Sequence, residues 1–290
     1  MVGSRASRIS LFSIFNYILM VVIAMVTVYP IVHIVAVSFS DTVYIVQSKI
    51  TIFPRGFNIE AYKEIFSSEK VPRAYLNTIL YTGTGTTINL LMTAIAAYPL
   101  SRSGFFGRKY FMILIVLTMF LNGGIIPNYL IVQKLGMVDS IWALIIPNAI
   151  WTFELLILKS FYENMSESLR ESAIMDGASE LRVLFSIVIP LSKPALASIG
   201  LFYFMGHWNS FFLPLIYLND VKLFPLQLVL RDMLIFDTAR EANNMGGSSR
   251  LTAEAIKNAT IFITMLPICM LYPLAQRYFA KGVMLGSEKG

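Results

Sequence analysis

The chain is 290 residues long, with 56% apolar and only 14% charged residues, and its mean hydropathy of +0.67 lies well outside the balance of a soluble domain. Its net charge of +6 calls for no nucleic-acid partner, because basic residues at the cytoplasmic face of a membrane meet anionic lipid headgroups. A single cysteine, Cys269, excludes an internal disulfide, and two histidines in different apolar stretches, His33 and His207, offer no zinc spacing.

Six stretches come near the roughly 20 residues that cross a hydrocarbon core as a helix: Leu11–Val37, Leu76–Leu100, Tyr110–Val132, Ile141–Leu158, Pro194–Leu218 and Ala259–Phe279. Runs this long and this poor in alternation predict an all-α integral membrane protein, because backbone polar groups in lipid must be satisfied within the span. Arg5 and Arg8 precede the first stretch as in a signal peptide. A signal's apolar region covers only about 7–15 residues before a small-residue cleavage site, so this one reads as a retained first helix.

Segment 38–75 follows, with Pro54, Arg55, Gly56, Glu60, Lys63 and Glu64 in mixed charge. It reads equally as an ordinary loop or as a small folded cap that receives a delivering protein. The second span opens on Asn77-Thr78 and closes on Ala96-Ala97-Tyr98-Pro99-Leu100-Ser101-Arg102. Short connections set orientation, since long ones translocate whatever their charge. Over the two termini and Ser101–Lys109 there are eight basic residues (Arg5, Arg8, Arg102, Arg108, Lys109, Arg277, Lys281, Lys289), against one, Lys134, in the loop Gln133–Ser140. Both termini are therefore expected in the cytoplasm, with segments 38–75 and 219–258 outside. In the second of these, Leu223–Phe236 suits a short helix, and Asn243, Asn244, Gly246, Gly247, Ser248 and Ser249 read as flexible.

The connection 162–190 is long, polar and rich in small residues. Ser168 and Glu171 have the spacing of a capping box. Leu169, Ala173 and Gly177 then share a face on which another backbone can approach closely, and Gly177 permits a sharp turn. Leu181, Leu184, Phe185 and Val188 form the stripe of a second helix ending at Pro190. A helix resting among headgroups would set Lys and Arg beside large apolar residues. Here the pattern is acidic and small, which suits a protein socket.

No phosphate-binding Gly-x-x-x-x-Gly-Lys-Ser/Thr loop is present, so energy for active transport must come from an ion gradient or a partner. Beyond His33, Glu154 and His207 the spans hold almost no ionisable residue, which fits a secondary transporter poorly. A channel or scaffold would not require the 162–190 segment. Cys269 reads as a small buried hydrophobe, and the histidines as fillers of polar gaps between helices.

Glu171-Ser172-Ala173-Ile174-Met175-Asp176-Gly177-Ala178, followed by Ile187-Val188-Ile189-Pro190, resembles the EAA loop of ABC importer permeases. The family pattern has Ala and Leu where this chain has Ser172 and Ile189. Asn77-Thr78, the Ala96–Arg102 stretch and Trp208-Asn209 resemble the carbohydrate-uptake branch, in particular its smaller maltose-type subunit. Tyr203–Leu218 with Phe224-Pro225-Leu226-Gln227-Leu228 is similar to permeases for oligosaccharides or polysaccharide fragments. The resemblance implies a single permease domain of the type I ABC importer fold, with six membrane helices and a cytoplasmic coupling helix, in the bacterial cytoplasmic membrane. It assigns ATPase coupling to Glu171, Ala173, Asp176, Gly177, Ala178, Ile187 and Pro190. It places Tyr203, Trp208, Asn209, Phe212 and Tyr217 along the sugar path, where rings stack on sugar faces and amides bond hydroxyls. The implied partners are a second permease, two ATPase subunits that use the ATP and magnesium, and an extracytoplasmic solute-binding protein; the chain itself is no enzyme and binds no cofactor. A peptide or amino-acid cargo remains open on the residues alone.

Overall fold

A computed structural model describes residues 11–67, 69–121, 123–242 and 247–282. Arg5, Arg8, Lys289, Asn243, Asn244 and Gly246 lie outside them. The described residues form helices and no strands. In chain order these are α1 (Leu11–Ser38), α2 (Thr42–Val46), α3 (Glu60–Ser67), α4 (Lys70–Ser101), α5 (Arg108–Phe120), α6 (Ile125–Lys134) and α7 (Ile141–Ile145), which tightens into a 3-10 turn at Ile146–Asn148. Then come α8 (Thr152–Glu163), α9 (Glu167–Met175), α10 (Glu180–Val183), a π-helical turn (Leu184–Val188), α11 (Ile189–Leu191), α12 (Lys193–Trp208), α13 (Phe212–Tyr217), a 3-10 turn (Val221–Leu223), α14 (Leu226–Ala242) and α15 (Gly247–Gly282).

Two helices are by themselves long and apolar enough to cross a membrane, Phe12–Ser38 and Glu254–Leu271, and up to five candidates arise if each bent pair is one span. Three predicted spans are broken. Leu121 leaves α5 in extended conformation, and α6 restarts after Gly124 with Pro127 in its first turn, where a missing N–H costs nothing. Pro147 and an extended Trp151 separate α7 from α8, which bend by 49°. Residues Asn209–Phe211 separate α12 from α13. The predicted second span lies inside α4, a helix of 32 residues whose mixed polarity keeps it from counting among those spans. Gly247, Ser248 and Ser249, expected to be flexible, start α15. Cys269 is exposed on α15, which corrects its reading as buried, because the buried residues of that helix lie at Ala255–Thr264.

The described chain divides into two compact units: Met1–Ser68 with Met233–Ile263, and Glu69–Asp232 with Thr264–Gly290. In the first, α1 is exposed along most of its length up to Ile31, while its end buries Ala36, Val37 and Ser38. The segment after it folds locally. The Asp41 carboxylate caps α2 by accepting from Val43 N, Phe39 stacks on Phe57 and Tyr62, and the Tyr62 hydroxyl donates to Ser38 Oγ at 2.8 Å. His33 is held through Nδ1 by Thr51 O at 2.9 Å, a structural role as expected.

The second unit is organised around α4. One face of this helix, Thr78, Thr82, Gly85, Asn89 and Thr93, is buried at helical spacing although its residues are polar or small. In lipid the tails are as apolar as leucine, so helices associate through close backbone approach and interhelical hydrogen bonds, and this face supplies both. Gly85 receives the His207 ring and Gly200 receives Leu90. Asn89 donates to Asn148 O at 2.8 Å and meets His207 Nε2 at 3.1 Å. Thr93 Oγ1 lies 2.6 Å from the Tyr203 hydroxyl. Toward its C-terminal end, α4 packs with α8, α10, the π-helical turn and α12 in a core of Ala97, Leu155, Leu158, Tyr162, Val183, Leu184 and Ile199.

Candidate functional site

The 162–190 segment forms a helix–turn–helix whose geometry differs from the expected capping box. Ser166, not Ser168, precedes α9, and no side chain caps it; Ser168 lies within the helix, its Oγ 2.7 Å from that of Ser166. The helix ends at Met175, with Asp176 as its C-cap. Gly177 then adopts φ +82°, a left-handed conformation in which a Cβ is disfavoured, and Gly177 N and Ala178 N bond back to Ile174 O and Ala173 O, the pattern of a glycine-terminated helix. Ser179 opens α10 by accepting from Arg182 N.

The seven residues assigned to coupling fall into two groups. Ala173, Ala178 and Ile187 are half-buried against the core, so they anchor the segment, and Ala173 does not present a small-residue face outward. Glu171, Asp176, Gly177 and Pro190 are exposed. Beside Glu171 the outward surface carries large apolar side chains: Met175 is 87% exposed and Leu181 66%, with Ile174 and Leu169 also exposed. These exposed apolar side chains lie on the same helix–turn–helix as the exposed Glu171.

Sequence reasoning missed the residues that hold α9 in place. Arg170 ion-pairs with Glu167 at 2.8 Å and forks onto Glu180, with Nε–O distances of 3.1 and 3.3 Å and a further contact through Nη2. The Tyr98 hydroxyl donates to Glu180 Oε2 at 2.6 Å. Arg102 pairs with Glu167 at 2.7 Å and lies over the Tyr98 ring at 4.8 Å. The Glu180 carboxylate raises the already high pKa of the Arg170 guanidinium. Beside this network, Arg108 pairs with Glu163, which also takes Lys159 at 2.8 Å. Only the Glu167–Arg170 spacing, one turn apart on a helix, was legible in the sequence.

Of the five residues expected along a sugar path, three are committed to packing. Tyr203 is fully buried, with its hydroxyl shared between Thr93 and Trp151 N. Trp208 stacks on Phe204 and donates to Thr264 O at 3.1 Å. Tyr217 is buried and stacks on Tyr129. These contacts occupy the Tyr203 hydroxyl, the Trp208 indole N–H and the Tyr217 ring within the protein. Asn209 and Phe212 are exposed at the break between α12 and α13, and Asn209 Oδ1 accepts weakly from Gln227 at 3.4 Å. His207 lines a cavity of about 140 Å³ with Thr78, Tyr81, Asn148, Trp151 and Ser210. These residues do not suit a metal, since no cluster of three or more potential ligands exists among the described residues.

The opposite end of α4 staples the segment Asn219–Leu228. Asn77 donates to Lys222 O and Phe224 O, Tyr81 to Leu223 O, and Leu226 N donates to Thr78 Oγ1. Asp139, at φ +58°, accepts from the N–H groups of Asn219 and Asp220 and from the Asn219 amide. The Asn219 N–H above all, then its side chain and the Asp220 N–H, hold the carboxyl below its ordinary value of 3.8. A depressed folded-state pKa contributes stability that is complete above the unfolded value and lost as pH falls through the folded one. The stability advantage over Asp139→Asn is therefore expected to stay constant from pH 7 to about 4 and to shrink below that, read from thermal unfolding in detergent at each pH. An advantage that already declines between pH 7 and 5 would contradict this account.

The model of the family described as "Binding-protein-dependent transport system inner membrane component" matches residues 89–285. The chain is 39% identical, over 97% of its length and 99% of the relative's, to the polygalacturonan/rhamnogalacturonan transport system permease protein YtcP of Bacillus subtilis (strain 168). It is 28% identical to the galactooligosaccharides transport system permease protein GanQ of the same organism, over 96% of this chain and 95% of that one. Among solved structures it resembles a chain from the crystal structure of a bacterial ABC transporter involved in the import of the acidic polysaccharide alginate, with TM-score 0.85, 31% identity, and coverage of 96% of this chain and 99% of that chain.

Proposed function

Because the chain belongs to the family of binding-protein-dependent transport system inner membrane components, we propose that it forms half of a saccharide pathway driven by an ATPase docked on α9. It is a membrane transport subunit of an ABC importer and not an enzyme. Six membrane helices, both termini in the cytoplasm and a single permease domain follow in this reading, with the bent pairs and α4 counted as spans. The partners are a second permease, two ATPase subunits and a solute-binding protein outside.

The carrying observation is the outward surface of the helix–Gly177–helix turn. Glu171, Met175 and Leu181 are exposed there in the stretch where the family places its ATPase contact. Closure of an ATPase dimer would carry α9 inward and move the permease halves as bodies, alternating the exposure of the path. ATP and magnesium act on the ATPase; this chain binds and transmits.

The cargo reading rests on the relatives, whose names specify polygalacturonan or rhamnogalacturonan and galactooligosaccharides, with alginate for the structural neighbour. They favour oligosaccharide fragments of polysaccharides over peptides. Of the five candidates to face the path, Tyr203, Trp208, Asn209, Phe212 and Tyr217, the exposed Asn209 and Phe212 are the most accessible. Reconstitution with the second permease, ATPase and binding protein tests it. A polygalacturonan hydrolysate should stimulate ATP turnover more than a peptide mixture does; stimulation by peptides alone, with none by any oligosaccharide, would overturn the saccharide reading.

A further inference from the structure

Helix α9 has no buried residue. Half-buried Ala173 on α9, with Ala178 just beyond its terminal turn, is a slight apolar anchor for an element that must transmit force. The polar network is the stronger mechanical link. Arg170 projects from α9 and forks onto Glu180 at the start of α10; Glu180 accepts from Tyr98 on α4. Glu167 on α9 pairs with Arg102 at the α4 terminus, and that guanidinium rests on the Tyr98 ring. The ring of contacts runs from α9 to α10 to α4 and back to α9.

We propose that Arg170, Glu180, Tyr98, Arg102 and Glu167 are positioning residues that clamp α9 to the end of α4, so that displacement of α9 by its ATPase is delivered directly to α4. The clamp rests on the docking reading above and adds the route of transmission. Exposed ion pairs stabilise little, because water screens them and holding long side chains costs entropy. A bidentate arginine–carboxylate pair nonetheless restricts orientation sharply. The network is therefore suited to fixing direction more than to holding the fold together. Its load would reach α4, whose buried face packs on α12 through Gly85, Asn89 and Thr93. Without the clamp, the connection left from α9 into α10 is the Gly177 turn, with backbone at φ +82° and no neighbouring atom within 4 Å of the place a Cβ would take.

The test uses the assembled complex in a Cys269→Ser background, with spin labels on Ser103→Cys and Ser172→Cys, both at exposed positions. In the otherwise unsubstituted chain, the distance from Ser103, just past the α4 terminus, to α9 should be narrow and equal in the nucleotide-free and ATP–vanadate-trapped states. Glu180→Gln and Arg170→Gln should broaden it in the trapped state and lower saccharide transported per ATP by about fivefold or more. Glu180→Asp should recover part of both. Unchanged distances, or broadened distances with unchanged transport per ATP, would overturn the proposal, the second because the network would then be only structural. If the unsubstituted chain fails to copurify with its ATPase, the docking reading itself fails, an outcome separate from these.

Discussion

Gly206→Ala is expected to be among the most damaging single-methyl changes in the chain. An added Cβ would lie 2.1 Å from Trp151 Cη2, with two further indole carbons at 3.0 and 3.1 Å. The indole has little room to yield, because it packs edge-on against the buried Tyr203 at 4.9 Å and beside His207 at 6.1 Å. Overpacking of this kind costs about 3 kcal/mol at the upper end of its usual range. Gly85→Ala should behave similarly, since its Cβ would meet His207 Nε2 at 2.6 Å and break the His207–Asn89 bond. Gly83, in the same helix, has nothing within 4 Å, and Gly83→Ala should stabilise by about 0.5–1 kcal/mol through lost unfolded-state freedom. Thermal unfolding of the three variants in detergent checks the ordering. Equal stability of Gly206→Ala and Gly83→Ala would mean that α12 and the Trp151 break do not meet as described.

The second large effect is expected on coupling, with little change in folding. Gly177→Val places a β-branched residue at φ +82°, a genuine outlier for that side chain. The turn must open, which re-aims Glu171 and Met175 on α9 relative to Leu181 on α10. Stimulated ATP turnover should fall by about tenfold or more, within the range of site-to-site coupling energies. Gly177→Asn should be milder, because asparagine visits the left-handed region at lower cost. Glu171→Lys offers a separation of effects: its exposed carboxylate makes no hydrogen bond or ion pair with another described residue that would be lost. Stability should then stay within about 0.5 kcal/mol, while ATPase copurification drops. Full stimulation with both Gly177→Val and Glu171→Lys would refute the docking surface.

These two predictions differ in how far the residues alone anticipated them. The importance of Gly177 was readable, because a glycine between an acidic, small-residue helix and an apolar stripe demands a turn. The importance of Gly206 was not. Nothing in Tyr203-Phe204-Met205-Gly206-His207 says that Trp151, more than 50 positions earlier, arrives against that glycine. The capping box at Ser168 and Glu171 was a correct spacing in the wrong register, since α9 starts two residues sooner and Ser168 falls within it.

The aromatic residues expected along a sugar path show the same limit of the residues alone. Tyr203, Trp208 and Tyr217 carry the chemistry that binds sugars, and the same chemistry satisfies buried helix contacts. Tyr203 uses its hydroxyl on Thr93, Trp208 its indole N–H on Thr264, and Tyr217 its ring on Tyr129. In a soluble protein the polar–apolar period would have separated inward from outward faces. In a membrane helix the lipid-facing side and the packed side are both apolar, so that signal fades.

Composition and the Glu171–Pro190 pattern by themselves determined a helical membrane protein joined to an external energy source, because bilayer thickness demands long apolar runs, a missing phosphate loop leaves an ion gradient or a partner, and the socket-like pattern favours the partner. The tertiary structure alone decided where spans break, which aromatics are spent on packing, and that Tyr98 and Arg102 reach Glu180 and Glu167 across 82 and 65 residues of chain. Those contacts depend on how α4 and α9 are brought side by side in space, and separation along the chain does not encode the direction in which a helix presents its side chains.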